Sequence, residues 1–307
     1  MGHFNMDKNE IIKKLYYDPA GFGSIQATLK DARAKDKTIT LNDVKAWFKI
    51  NVEQKKNLKG YNSFVANEPF EEFQVDPCFF GDLKDKEYKG GLAIIDIFTK
   101  YATLIPTTDN KAPTFLEALK KGIQNMGGKP KTIYADSEGA WFTKEVKDYL
   151  EENNIKLIIT LSHAHVVERL IRTLKSMIYK RIEAAEQNDG EVKRWVDVLY
   201  PVLLTYNRRM VHSATKFTPN DAVKASNKID VKLNLELAAK HSRKYPEVKV
   251  GDKVRVYKKR KDFAKERISI WEPEDRTVEE IIEYRGQPFY KVNGKHHEYS
   301  RSEILLI

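Results

Sequence analysis

Leu92-Ala-Ile-Ile-Asp-Ile-Phe-Thr-Lys-Tyr-Ala-Thr-Leu-Ile-Pro106 is two apolar runs joined by a short polar connection. A connection that short permits only antiparallel pairing, so Leu92–Thr99 and Tyr101–Pro106 read as neighbouring strands of a meander. Upstream, Phe73-Gln-Val-Asp-Pro-Cys-Phe-Phe80 supplies a third strand. Downstream the period changes. Pro113–Asn125 reads as a helix, Thr132-Ile-Tyr-Ala-Asp136 as a strand, Lys144–Asn153 as a helix and Lys156-Leu-Ile-Ile-Thr-Leu161 as a strand, with a long helix from His165 to Glu186 after them. Strands that follow helices join a sheet in parallel, so the expectation is a mixed five-stranded sheet in an α/β core.

The flanks differ in composition. Residues 1–52 read as three short helices: Ile11, Ile12 and Leu15 form one stripe, Ser24–Lys35 is a second amphipathic stretch, and a third opens at Thr40 with Val44, Trp47 and Phe48 inward. Their basic faces fit a helix-turn-helix-like module and equally a plain three-helix bundle. Residues 53–70 have linker composition, 71–225 form the core, and 226–244 read as a partly helical connector. Over 245–307, Val248-Lys-Val-Gly-Asp-Lys-Val-Arg-Val-Tyr257 alternates with period two and is followed by Thr277–Glu283, Gln287–Asn293 and Glu303–Ile307, as a small β barrel requires.

The chain has 307 residues, 54 Lys plus Arg against 44 Asp plus Glu, and a formal charge of +10, so a polyanion is the expected partner. The single Cys78 excludes an intrachain disulfide and any zinc site with two cysteines. No run approaches the roughly 18 apolar residues of a membrane span, and no signal-peptide core opens the chain, so the expectation is an intracellular protein without a membrane partner.

Against this basic background three acids stand out. Asp136 ends a strand before the Ser137-Glu-Gly turn, at the sheet edge where α/β sites form. Glu168 lies near the start of the long helix, on the stripe of Arg172, Lys175 and Tyr179, beside the apolar stripe Val167, Leu170, Ile171, Leu174 and Ile178. That stripe fits a carboxylate facing a metal with Arg172 and Lys175 toward phosphates; it fits an i, i+4 Glu168–Arg172 ion pair as well. Asp76 and Asp96 are both mid-strand. Asp76 is preferred because its strand should lie beside that of Asp136, whereas Asp96 reads as a hydrogen-bonded structural acid and Glu138 as a turn residue. With oxygen ligands the site is hard, so His163 and His165 read as phosphate contacts or helix-start packing and zinc is not expected. His212, His241, His296 and His297 read as surface residues, and Cys78 as a small buried hydrophobe. Lys258-Lys259-Arg260-Lys261 reads first as a DNA-backbone clamp, with a nuclear signal or a solvated hairpin tip as alternatives. Around it, Arg243–Arg267 holds 11 basic and 4 acidic residues, interleaved with Tyr245, Tyr257 and Phe263.

The element order is that of the ribonuclease H-like fold. The motifs Phe73-Gln-Val-Asp76, Ala93-Ile-Ile-Asp-Ile-Phe-Thr-Lys-Tyr-Ala102, Tyr134-Ala-Asp-Ser-Glu-Gly-Ala140, His163-Ala-His-Val-Val-Glu-Arg-Leu-Ile-Arg-Thr-Leu-Lys175, Thr205-Tyr-Asn-Arg-Arg-Met-Val-His-Ser-Ala-Thr-Lys-Phe-Thr-Pro219 and Val250-Gly-Asp-Lys-Val-Arg-Val256 resemble those of DDE-type integrases of the retroviral superfamily. The likeness is strongest to the integrases of Polinton (Maverick) transposons and virophages. It implies a metal-binding catalytic triad of Asp76, Asp136 and Glu168, two Mg²⁺ or Mn²⁺ ions, and DNA contacts from Arg169, Arg172, Lys175, Arg255 and the 258–261 run. It also implies a terminal barrel of the SH3 or chromodomain-like kind and a homo-oligomer, dimer or tetramer, on double-stranded DNA. The function it implies is 3′-end processing and strand transfer of element ends into target DNA, in the nucleus or a viral factory. A catalytically silent DNA-binding protein and a purely hydrolytic nuclease are the rivals. Two departures stand out: Asp136 and Glu168 are only 32 residues apart, and the segment before residue 70 has His3 and no cysteine, so the retroviral zinc module is absent.

Overall fold

The computed structural model describes residues 7–52, 64–81, 83, 85–162, 164–189, 194–240, 246–258 and 270–307. The chain divides into two compact units, Met1–Lys59 and Gly60–Ile307. In the first, α1 (Lys8–Tyr16), α2 (Ile25–Lys35) and α3 (Leu41–Asn51) enclose Ile12, Ala32, Ile39, Val44 and Trp47. Each start is capped from sequence. Ser24 Oγ accepts from Ala27 N, and at α3 Thr40 Oγ1 accepts from Asp43 N (3.2 Å) while Asp43 Oδ2 accepts from Thr40 N (2.8 Å).

The second unit is built on β1 (Glu72–Phe79), β2 (Gly90–Asp96), β3 (Ala102–Thr107), β4 (Thr132–Asp136) and β5 (Lys156–Thr160), in the order β3-β2-β1-β4-β5. β1–β2 and β2–β3 are antiparallel, and β1–β4 and β4–β5 are parallel. This is the ribonuclease H-like arrangement. Alternation along the strands divides two cores. Phe73, Val75, Ile94, Ile133 and Ala135 pack against α4 (Ala112–Asn125) and α5 (Lys144–Glu152), through Phe115, Leu119, Val146 and Leu150. Cys78, Ala93, Ile95 and Tyr134 pack against α6 (His165–Asp189) and α7 (Trp195–Arg209), through Val167, Leu170, Leu174, Ile178 and Val198. Each fully buried Leu, Ile or Phe contributes about 1.5–3 kcal/mol. Because β1 side chains alternate, Gln74 and Asp76 share the α6 side of the sheet with Cys78.

α7 is fastened at both ends. Trp195 stacks on Phe80 with ring centres 4.1 Å apart, and Asn207 both accepts from Ala102 N (3.0 Å) and donates to Ala102 O (2.8 Å), pairing the backbone of β3. After the short α8 (Pro219–Ala222), α9 (Lys228–Lys240) places Val231 and Leu235 against Ala66, Ile97 and Phe98. Segments from the expected linker and the expected connector thus meet on one patch of the core.

The carboxyl-terminal residues form a second five-stranded sheet, order β10-β6-β7-β8-β9, from β6 (Lys253–Val256), β7 (Arg276–Tyr284), β8 (Gln287–Val292), β9 (Tyr299–Ser300) and β10 (Ile304–Leu306). It encloses Val254, Val256, Val278, Tyr290, Val292 and Ile304. The β7–β8 hairpin turns through Arg285 (φ 52°) and Gly286 (φ 79°), both left-handed, as a two-residue hairpin turn requires. β9, only two residues long, has no legible period in the sequence. No helix among the described residues is long and apolar enough to cross a membrane.

Candidate active site

α6 begins without a Ser, Thr, Asp or Asn at its cap position, which is Ala164, so its first N–H groups need partners from elsewhere. The sheet provides them. Asp136 Oδ1 accepts from Ala164 N (2.7 Å), and Gln74 Oε1 accepts from Val166 N (3.0 Å) and Val167 N (3.2 Å). The first turn of α6 is therefore hydrogen-bonded to β4 by Asp136 itself and to β1 two residues before Asp76. Sequence reading missed Gln74. Its signal was a polar side chain on the inward face of a central strand.

The parallel register pairs Val75 with Ala135, the residues immediately before Asp76 and Asp136, on strands about 4.8 Å apart. Asp76 and Glu168 line one open groove of about 340 Å³ with Pro77, Cys78, Ile171, Arg172 and Lys175. Glu168, Arg172 and Lys175 fall on one side of α6 because they are spaced at four and three residues. Lys175 Nζ lies 5.3 Å from the centre of the Phe80 ring, which holds the ammonium at the groove wall. Burial pushes the Cys78 thiol up to about 12, so the one sulfur in the groove is inert as a nucleophile.

The donor chemistry of Asp76, Asp136 and Glu168, all carboxylate oxygen, fits a hard divalent cation. Their placement is paired rather than caged. Asp76 shares a groove with Glu168 and lies on the strand next to that of Asp136, yet no group of three His, Cys, Asp or Glu side chains among the described residues stands close enough together to hold an ion. Asp136 directs Oδ1 to the backbone of Ala164.

The remaining sequence candidates separate. Arg169 does not line the groove. It borders a neighbouring cavity of about 450 Å³ together with Lys100, His165 and His212. Arg255 forms an ion pair with Asp275 (Nε to Oδ1, 3.0 Å), and Lys258 is exposed with its N–H bonded to Ile270 O. Lys259, Arg260 and Lys261, with Tyr245, Phe263, His163 and His241, lie outside the described residues. Glu138 is exposed, and Asp96 is fully buried with its oxygens accepting from Phe98 N, Thr99 N and Thr99 Oγ1 (3.2, 3.2 and 2.6 Å). Near Asp96 lie Glu72 and Lys100, both shifted by burial to about 8 from opposite sides.

Two histidines read as surface residues are not. His212 is enclosed, its Nδ1 accepts from Ala214 N, and burial, with Lys100 and Arg169 nearby, pushes its imidazole down to about 4. His297 lies against the buried Glu303, 3.9 Å away. For His212 the signal was hidden because Lys100 and Arg169 are distant in sequence; for His297 it was hidden because its partner Glu303 is buried by contacts with the core.

No protein-family model matches the chain. Over 143 residues it is 31% identical to the retrovirus-related Pol polyprotein from transposon 297 of Drosophila melanogaster, covering 46% of this chain and 13% of that protein. Over 162 residues it is 32% identical to the Gag-Pol polyprotein of walleye dermal sarcoma virus, covering 51% and 9%. The chain thus spans a small fraction of these relatives. Among solved structures it aligns with a chain of the simian T-cell lymphotropic virus intasome in complex with PP2A regulatory subunit B56 gamma, at 14% identity and a TM-score of 0.58, covering 93% of this chain and 95% of that one. The HTLV-2 integrase catalytic core domain in complex with magnesium matches 51% of this chain at 20% identity, with a TM-score of 0.43. The chain is similar in sequence, over about half its length, to Pol polyproteins of a transposon and a virus, and in fold, over nearly all of it, to a chain of a viral intasome.

Proposed function

We propose that the chain is a DNA integrase whose catalytic acids are Asp76, Asp136 and Glu168. The observation that carries this reading is the groove lined by both Asp76 and Glu168 with Arg172 and Lys175, with Asp136 on the adjoining strand. The Pol similarity supports it from sequence. The three acids would hold two Mg²⁺ or Mn²⁺ ions, which when bound supply Lewis-acid activation of the attacking oxygen and stabilisation of the leaving oxygen at phosphorus. The chain's own side chains do the rest. Arg172 and Lys175 bind the phosphates flanking the scissile bond. Water attack trims a 3′ end, and attack by the freed 3′-hydroxyl on target DNA joins it.

In this reading residues 71–225 are the catalytic core, 1–52 a helix-turn-helix-like module, 53–70 and 226–244 its connections, and 245–307 an SH3-like or chromodomain-like barrel that holds DNA through Arg255 and the 258–261 run. Arg169 binds backbone from the adjoining cavity. The active species is a homo-oligomer on double-stranded DNA, of the Polinton or virophage kind, working in a host nucleus or viral factory.

Incubating the protein with Mn²⁺, labelled DNA ends of its parent element and a target duplex tests the assignment. An integrase yields joined products, a hydrolytic nuclease only shortened strands, and a silent binding protein neither. Asp76→Asn, Asp136→Asn and Glu168→Gln should each lower joining by at least about 10³-fold while DNA affinity stays within a few-fold, since each loses charge stabilisation of about 4 kcal/mol in the transition state. Wild-type turnover in any of the three would overturn the triad.

A further inference from the structure

Glu303 belongs to the terminal sheet, yet half of its side chain serves the catalytic core. Its side chain is 1% exposed. Oε2 accepts from Ser300 N (2.8 Å) and Ser300 Oγ (2.9 Å), inside its own module. Oε1 crosses to the end of β5, where it accepts from Thr160 Oγ1 (2.7 Å), from Leu161 N and from Ser162 N (3.0 Å). Burying an ionised carboxylate is expensive unless its lone pairs are filled, and these five donors fill them. Burial opposes ionisation here, and the contacts from His297, Thr160 and Ser300 outweigh it, holding the carboxyl below the usual range.

Apolar packing runs the same way. Leu161 of the core packs into the cluster of Val254, Val278 and Ile304, while Phe289 of the terminal sheet belongs to the buried cluster of Tyr134, Ile158 and Ala164. The segment so gripped leads directly into α6. Ser162 is two residues before Ala164, whose N–H is bonded to Asp136, and six before Glu168.

We propose that Glu303 is a positioning residue, through which the terminal sheet fixes the β5–α6 segment and hence where Glu168 stands. The terminal module is then a structural wall of the active site as well as a DNA-binding unit. The catalytic half of this inference rests on the proposed function; the structural half does not.

Amide hydrogen exchange on the full chain tests the structural half, with Glu303→Gln, Glu303→Ala and Thr160→Val compared with the parent protein. In Glu303→Gln one oxygen becomes a donor, so one of its two sets of donors loses its acceptor. The expected result is exchange over residues 161–168 at least about tenfold faster in Glu303→Ala and Glu303→Gln, and several-fold faster in Thr160→Val, with β1 and β7 unchanged. Unaltered exchange over 161–168 in Glu303→Ala, with β7 and β8 still protected, overturns the proposal. If Glu303→Ala also exposes β7 and β8, Thr160→Val decides, because it leaves the Ser300 side of the carboxylate intact; no change there overturns it equally. Strand-transfer kinetics test the catalytic half. With an active parent, Glu303→Gln should lower kcat about 10- to 100-fold and leave KM for DNA within twofold, and an unchanged kcat beside loosened 161–168 amides removes the link to Glu168. A parent without strand transfer removes the functional reading and leaves the exchange result to judge the latch.

Discussion

Asp76 and Asp96 sit on neighbouring strands of one sheet, in opposite surroundings. Asp96 has its oxygens filled by Phe98 and Thr99 in a fully buried turn, whereas Asp76 opens onto the groove of Glu168. Asp96→Asn should therefore lower stability by about 1–3 kcal/mol, because an amide nitrogen cannot accept the N–H groups now bonded to one oxygen, and should spare turnover per folded molecule. Asp76→Asn should do the reverse, and thermal melts run beside joining assays separate the two. His212 carries a pH signature. Its folded pKa of about 4 lies below the ordinary 6.5, so the unfolded chain binds more protons between those values. Its contribution is complete above about pH 6.5 and disappears as pH falls toward 4, by about 3 kcal/mol in total. His212→Gln should flatten that limb of a stability-against-pH curve measured by urea unfolding, and an identical limb in the variant would show that His212 is not its source.

Elements were legible where period and burial agree. β1 alternates Phe73 and Val75 against Gln74 and Asp76, and the stripe Val167, Leu170, Leu174, Ile178 marks the buried side of α6, so the core sheet and the side presenting Glu168 could both be read from local spacing. The rest depends on contacts that spacing does not encode. Gln74 and Val166 are 92 residues apart, and Glu303 and Leu161 are 142 apart; neither pair leaves a local pattern. The same holds for α9, whose Val231 and Leu235 find Ala66 across the whole core. The Gln74 contact gives the element-scale prediction. Gln74→Leu keeps the volume but strands two N–H groups at the start of α6, so it should cost about 1–3 kcal/mol and lower kcat more than DNA affinity; Gln74→Glu retains an acceptor and should restore part of both. Equal losses in the two variants would show that the acceptor atom is not what matters. Gly90 is equally constrained. A Cβ there would lie 2.3 Å from the Cys78 carbonyl oxygen, so Gly90→Ala must spread the Phe79 end of β1 from β2, which lowers the melting temperature.

Charge acts on the scale of the whole molecule. A formal charge of +10 sets up attraction for DNA at a distance and says nothing about where the strand lies. In the proposed function the groove does that: Arg172 and Lys175 line it with Asp76 and Glu168, while Arg255 is engaged with Asp275. Phosphate contacts release condensed counterions, so affinity for duplex DNA should fall steeply with salt, by roughly 10³-fold between 50 and 200 mM for about six contacts. The two groups of cations should then respond differently. If the proposed function holds, Lys175→Ala removes a contact at the reacting phosphate, so it should reduce the slope of log affinity against log salt by about one and also lower kcat. Arg255→Ala removes a cation distant from the chemistry and already paired, so its effect should be confined to affinity and be smaller at every salt concentration. Fluorescence anisotropy across a salt series, with joining rates measured at saturating DNA, reads both quantities. A Lys175→Ala protein with the parent slope and the parent kcat would place the DNA backbone somewhere other than along the Glu168 side of α6.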